Sequence, residues 1–298
     1  MYPYGLIGNC QSAALVSTEG SIDWLCWPRP DSPPVFGKLL DPQGGNFNIQ
    51  SHAPAKFHQS YEINTNILQT TVTQENGSVY KITDFCPRFI QHGRNYRPNA
   101  IFRKVERVSG APRITVSIQP VSGWEKEAVA PVRGNSHLAF TIRDEQMRLT
   151  TNLSLTYLLE NIPVLVEEPL YFALTWGFGL EDDLMRVSEE FLYQTRLYWQ
   201  RWVQHCSIPV LFQKEVIRSA LALKLHCYED TGAILAALTT SLPEEIGKNR
   251  NWDYRFCWLR DAYYVLSAFR NLGHYEEMEG FLKFFLNIAE STKELQPV

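Results

Sequence analysis

Long apolar runs are missing from this 298-residue chain. The most apolar short stretch, Ala233 to Leu238, is far too short to cross a bilayer. A strong charge of one sign is missing as well. The formal net charge is -4, which gives no electrostatic case for nucleic acid or an acidic membrane as partner. The six cysteines (Cys10, Cys26, Cys86, Cys206, Cys227 and Cys257) are widely spaced and form no C-x-x-C pair. They are expected to be reduced thiols rather than a disulfide framework. The seven histidines show no metal-ligand spacing. There is no G-x-S-x-G and no P-loop, and Gly5-Leu6-Ile7-Gly8 lacks the third glycine and the β-α context of a dinucleotide site. Neither a cofactor nor a metal is therefore expected. The opening Met1-Tyr2-Pro3-Tyr4-Gly5 has no basic residue and no apolar segment of signal-peptide length, so a cytoplasmic protein is expected.

What is present is a globular composition: 45% hydrophobic, 13% aromatic and 20% charged, ample for a packed core and unlike a disordered chain. The length allows one large domain or two ordinary ones. The pattern changes near residue 182. Before it, short β-rich runs alternate with turn signals. Ile22 to Trp27 is strand-like and ends at Pro28-Arg29-Pro30. Asn66 to Thr73 leads through Glu75-Asn76-Gly77-Ser78, a hairpin turn signal, into Val79 to Thr83. Phe102 to Val108, Arg113 to Gln119, Leu138 to Ile142, Met147 to Thr151 and Tyr171 to Trp176 continue the series. Such spacing predicts an antiparallel β-sandwich.

After residue 182 the period becomes helical. Asp182-Asp183 opens an amphipathic run to about His205, with Leu184, Val187, Phe191, Leu192, Thr195, Tyr198, Trp199 and Trp202 on one stripe. Further helices are predicted over Lys214 to Tyr228, Asp261 to Leu272 (ended by Gly273) and Tyr275 to Ala289, with a long irregular connection from Thr231 to Phe256. Phe281, Leu282, Phe284, Phe285, Leu286 and Ile288 make the last helix apolar nearly all round. Such a helix is expected to be buried from several sides, although the sequence supplies few partners for it. A longer chain or a second chain is expected to cover it.

The densest unusual segment is Leu242 to Ala262, where Trp252, Tyr254, Phe256 and Trp258 lie among Arg250, Asp253, Arg255, Arg260 and Asp261. These residue types suit a pyranose: rings complement its C-H faces, and carboxylate and guanidinium complement its hydroxyls. An aromatic core with surface ion pairs would look the same by composition, and both readings stand at this level.

The stretch Arg250 to Ala262, R-N-W-D-Y-R-F-C-W-L-R-D-A, closely resembles the sugar-site segment of glycoside hydrolase family 15, which holds glucoamylases, glucodextranases and some trehalases. Further matches follow in family order. They are Leu6 to Cys10, Ala13 to Val16, Gly20 to Cys26, Pro28 to Phe36 (PRPDSPPVF), Thr83-Asp84-Phe85 and Thr239 to Gly247. The resemblance implies an α+β multidomain chain. An N-terminal antiparallel β-sandwich (1–182) would be followed by a linker helix (183–206) and the first helices of an incomplete (α/α)6 barrel (207–298). It also implies a substrate, an α-glucan oligosaccharide or trehalose, attacked at its non-reducing-end glucosyl unit. Arg260 and Asp261 match the family's pair that grips the hydroxyls of that unit. Tyr254 matches the tyrosine near its anomeric centre, and Trp258 matches the aromatic wall of the same pocket.

Family members invert the anomeric centre, which requires an acid and a base on opposite faces of the ring. By the resemblance both glutamates lie downstream of Val298, so no catalytic residue is expected in this chain and it should be inactive alone. The adjacent Glu244 and Glu245 are the local substitutes to consider, but their Pro-Glu-Glu setting matches a family loop. Cys257 has no histidine beside it in sequence and is read as packing. The competing expectations are half of a split enzyme, or a carbohydrate-binding module without catalysis.

Overall fold

The computed structural model describes residues 3–240 and 244–291; Ser241, Leu242 and Pro243 of the Thr239 to Gly247 segment lie outside the described residues. Two compact units, Met1–Gln200 and Arg201–Val298, emerge from the contacts, and each has its own logic.

The first unit is built on two antiparallel sheets. One runs Tyr4–Gly8, Ala13–Ser17, Ile22–Cys26, Asn46–Ser51, Arg113–Gln119 and Val164–Leu165 in spatial order, with Pro34–Phe36 on the side of Ile22–Cys26. The other runs Val132–Arg133, His137–Ile142, Glu145–Thr151, Leu170–Trp176, Ala100–Ser109, Val79–Phe85, Leu68–Gln74 and Ala55–Tyr61. Alternation decides which face turns inward: in Leu68–Gln74 every second residue, Leu68, Thr70, Val72 and Gln74, is buried. Ile7, Val16, Phe47, Ile49 and Val116 of the first sheet share one core with Val72, Ile82, Val105, Phe140 and Phe172 of the second. Phe47 and Phe172 meet edge to face with ring centroids 6.0 Å apart. The expected hairpin is present: Gln74 N–H donates to the Ser78 carbonyl at 2.9 Å.

The short α1, Leu155–Leu159, belongs to this unit, as does the long α2, Leu184–Gln204, up to Gln200. α2 begins where the Asp183 carboxylate accepts the Arg186 N–H at 2.8 Å. Val187 and Leu192 of α2 cover Ile67, Phe85, Ala100, Phe102 and Ala173 on the outer face of the larger sheet. Arg88 fastens the helix. Its N–H donates to Thr195 Oγ1 at 3.1 Å, and its Nη2 donates to the Tyr198 hydroxyl at 2.7 Å.

Here the Thr83-Asp84-Phe85 motif acquires a physical reason. Phe85 points outward and stacks on Phe102 at 5.5 Å. Its neighbour Asp84 points inward and is fully buried opposite Arg103, with Arg103 Nε donating to Asp84 Oδ1 at 2.8 Å. The same guanidinium donates to the Phe47 carbonyl on the other sheet at 2.8 Å and to the Gly20 carbonyl in the turn between two of that sheet's strands. Burial pushes the Asp84 carboxyl up, against the pull of the Arg103 charge and its hydrogen bonds.

The second unit contains α3 (Gln213–Leu225), α4 (Leu259–Leu272) and α5 (Tyr275–Ser291). α3 is shorter than the expected Lys214 to Tyr228. Cys227–Tyr228 instead pairs antiparallel with Ala233–Ile234, since a short apolar run does not by itself distinguish helix from strand. The turn between them needs Gly232. Its φ is +87°, and a Cβ there would lie 2.2 Å from the Gly280 carbonyl oxygen of α5. α4 stops at Gly273, with His274 N–H bonded to the Phe269 carbonyl at 2.9 Å. On α5 the expected all-round burial is not found. Phe281 is buried, but Leu282, Phe285, Leu286 and Ile288 are 39–60% exposed. Three helices do not by themselves define an (α/α)6 barrel. Among the described residues, no helix is long and apolar enough to cross a membrane.

Arg103→Met should lower the unfolding free energy by about 3–5 kcal/mol, because it strands the Asp84 carboxylate in the core. Arg103→Met with Asp84→Leu should recover much of that loss. Denaturant titration followed by circular dichroism measures both, and an unchanged midpoint for Arg103→Met would remove the guanidinium from its place as the inter-sheet tie.

Candidate functional site

The aromatic and charged segment is laid down by main-chain pairing. Thr240 and Asp253 form an antiparallel bridge. Ala237 N–H donates to the Tyr254 carbonyl at 2.8 Å, and Ala236 N–H to the Phe256 carbonyl at 3.1 Å. The turn after it is locked by charge. Asp253 Oδ1 accepts both the backbone N–H and Nε of Arg255 at 3.0 Å, and Oδ2 accepts Nη2 at 2.7 Å. The Arg255 side chain is only 4% exposed. Burial raises the Asp253 carboxyl, but the hydrogen bonds and charge of Arg255 outweigh it and hold the group below the usual aspartate range. Asp253 and Arg255 thus serve each other, as a structural pair.

From this turn the chain enters α4 with Trp258 at the N-cap in extended geometry, its carbonyl accepting the Ala262 N–H at 2.9 Å. Trp258 Nε1 donates to the Asp253 carbonyl at 3.2 Å, which fixes the indole. Its ring lies 5.4 Å from that of Tyr254 and 6.2 Å, edge to face, from that of Trp252. Arg260 and Asp261 follow in the first turn, where a carboxylate is favoured by the helix dipole. The Arg260 side chain is 74% exposed and that of Asp261 33%, with Nη2 3.6 Å from Oδ2. Asp261 Oδ2 is shielded from solvent and has no hydrogen-bond partner among the described residues.

The four expected sugar-site residues therefore share one continuous stretch around the start of α4. Tyr254 and Trp258 are in ring contact, and Arg260 and Asp261 stand side by side without a hydrogen bond between them. Chemically the stretch offers aromatic faces, a guanidinium donor and a carboxylate with an unmet acceptor. Glu244 and Glu245 offer less. Glu244 accepts from Trp252 Nε1 at 3.3 Å, and Glu245 pairs with Lys248 at 2.7 Å, all on an exposed loop. Cys257 is half-buried, and burial pushes its thiol up, as packing requires. Among the described residues no group of three or more His, Cys, Asp or Glu converges as a metal site would.

One cluster escapes sequence reasoning. Cys206 Sγ lies 3.0 Å from His274 Nε2, across 68 residues of chain. Trp202 stacks on the His274 ring at 4.1 Å, and Glu277 Oε1 meets Lys224 Nζ at 2.9 Å and Trp202 Nε1 at 3.3 Å. The arrangement looks like a nucleophile with its base, but burial and then the Glu277 charge push the Cys206 thiol up to about 11. It stays protonated at neutral pH and acts as packing. No spacing signal in the sequence could have paired these residues.

Two family models match the chain: Glycosyl hydrolases family 15 over residues 211–296, and Trehalase-like, N-terminal over residues 3–151. The trehalase of Thermoplasma acidophilum is 33% identical over 297 residues, covering 95% of this chain and 50% of the relative. The trehalase of Thermoplasma volcanium is 32% identical, covering 94% and 46%. That of Mycolicibacterium smegmatis is 31% identical, covering 96% and 47%. The chain spans about half the length of the curated relatives it matches.

Because the Asp253 carboxyl is depressed in the folded state, its stabilisation of the turn is complete above the ordinary aspartate value. It is lost as pH falls through the depressed one. The Trp258 indole Nε1–H resonance should hold its position down to about pH 4 and move only below it. In Arg255→Met the same resonance should move at higher pH. Identical titrations of the two proteins would show that Arg255 does not set the charge of Asp253.

Proposed function

The chain belongs to glycosyl hydrolase family 15, with a trehalase-like N-terminal domain, and from that premise we propose that it serves an α-glucoside hydrolase of the trehalase kind. The observation that carries this reading is the ring pair Tyr254–Trp258 in the same short segment as Arg260 and Asp261, a loose ion pair at 3.6 Å. Trehalose is the substrate it favours, because the relatives are trehalases; an α-glucan oligosaccharide is the competing substrate. Arg260 donates to hydroxyls of the non-reducing-end glucosyl unit and Asp261 accepts from them. Trp258 walls one face, and the Tyr254 oxygen lies near the anomeric centre, where positive charge develops. In this reading residues 1–182 are the β-sandwich domain, 183–206 the linker helix and 207–298 the start of the barrel.

Inversion needs two carboxyl groups about 6.5–9.5 Å apart, one a proton donor and one a base for water. Glu244 and Glu245 are committed to exposed contacts on one loop. The described residues nominate no such pair, so this stretch of chain binds sugar and does not cleave it. The exposed Leu282, Phe285, Leu286 and Ile288 favour a second part of the reading. Further barrel helices, on the same polypeptide or on a second one, cover that flank of α5.

Two measurements test the proposal. Trehalose should shift the Trp258 indole Nε1–H resonance, and Arg260→Ala or Asp261→Ala should weaken that response by about 10- to 100-fold, as loss of a hydrogen bond to a charged group does. A response to maltose and not to trehalose would transfer the substrate to the α-glucans, and no response to either would end the reading. The purified chain should release no glucose from trehalose or maltose; turnover that Glu244→Gln and Glu245→Gln abolish would place the chemistry within it.

A further inference from the structure

We propose that the β-sheet unit carries a second carbohydrate site, a pocket for one pyranose ring lined by the Trp24–Trp124 pair. It shares no residue with the Tyr254 to Asp261 stretch and does not rest on the hydrolase reading. The cavity measures about 280 Å³. Pockets for drug-sized ligands begin at roughly 300 Å³, so this one suits a single ring with a few waters.

Trp24 forms the inner wall and is 1% exposed, while Trp124 forms the outer wall and is 44% exposed. Their ring centroids are 6.4 Å apart and their planes are inclined at 47°, so the two indoles are in contact with each other and the cavity they line lies beside the pair. Leu40 and Val121 complete the apolar lining. The rim carries charge of both signs. Lys126 Nζ meets Asp41 Oδ2 at 2.8 Å, joining segments 85 residues apart. Asp41 Oδ1 accepts the Gln43 N–H at 2.8 Å, which orients the carboxylate. Lys126 itself caps the short helical turn that bears Trp124, with φ +57° and its N–H bonded to the Gly123 carbonyl at 3.2 Å. A half-exposed ion pair of this kind adds little to stability.

The combination selects its ligand. Asp41 and Lys126 neutralise each other at 2.8 Å, so the rim presents no net charge to draw an ion, and a purely apolar molecule would strip water from the pair without replacing its hydrogen bonds. A neutral ring with one flat C-H face and equatorial hydroxyls satisfies every feature at once. The face lies on Trp124, one hydroxyl donates to Asp41, and its neighbour accepts from Lys126.

The test is a ligand-observed NMR titration of the full chain with trehalose and, separately, maltose, in an Arg260→Ala/Asp261→Ala background that weakens the other candidate site. Saturable binding should persist there, and Trp124→Ala should weaken it at least tenfold. The doubly substituted Asp41→Asn/Lys126→Met protein, altered only at exposed positions, should weaken it severalfold with an unchanged circular dichroism spectrum, which covers the case in which Trp124→Ala does not fold. Absence of saturation up to ~50 mM of either sugar, or binding retained in both pocket variants, overturns the proposal. Absence of a Trp258 response to either sugar in the unsubstituted chain would count against the hydrolase reading and leave this site standing.

Discussion

The buried guanidinium of Arg103 ties the two sheets of the β-rich unit to each other. Arg103 reaches from the larger sheet to the Asp84 carboxylate on the neighbouring strand, to the Phe47 carbonyl on the facing sheet and to the Gly20 carbonyl in a turn of that sheet. A charge in the core is tolerable only when its donors find acceptors, and here both the counter-charge and the carbonyls are supplied. The same strand carries Phe102 one residue earlier, on the opposite face, where it stacks with Phe85 and meets Phe191 of α2. Ala100–Ser109 therefore sets both the spacing of the two sheets and the seat of the long helix. Its two-residue period makes these roles inseparable: a one-residue slip would put Phe102 in place of Arg103 and a charge under the helix.

The strands were legible because the first unit obeys that period and punctuates it with turn residues. Arg113–Gln119 is observed with the bounds that alternation gives it, and α2 with nearly the expected ends. The partners of Arg103 were not legible. They lie 19, 56 and 83 residues away, and only the assembled sheets bring them together. Cys227–Tyr228 was misread as helix because two strand residues after an apolar helix carry no period of their own. In the candidate site the contact of Tyr254 with Trp258 follows from their nearness in sequence. The pairing of Asp253 with Arg255 did not follow, since composition counted them among residues suited to sugar when each had the other as its partner.

In the second unit, charged residues act mostly as fasteners. Asp253 and Arg255 fix the turn into α4, and Glu277 joins Lys224 to the Trp202 indole. Both acids are held in the charged state by these contacts in spite of burial. Arg260 and Asp261 differ from them. They are neighbours without a hydrogen bond, at the solvent end of a helix whose start is fixed by Trp258. That contrast separates residues that build the segment from residues left available on it.

The approach of Gly232 to Gly280 has an evolutionary side. The atom that blocks a side chain at 232 is the main-chain oxygen of 280, which every amino acid possesses. Most steric conflicts in a protein interior can be relieved by trimming the opposing side chain, so that lineages drift through compensated pairs. At this crossing no change of residue type at 280 could make room, and a lost glycine at 232 could be repaired only by regaining it or by moving the helix.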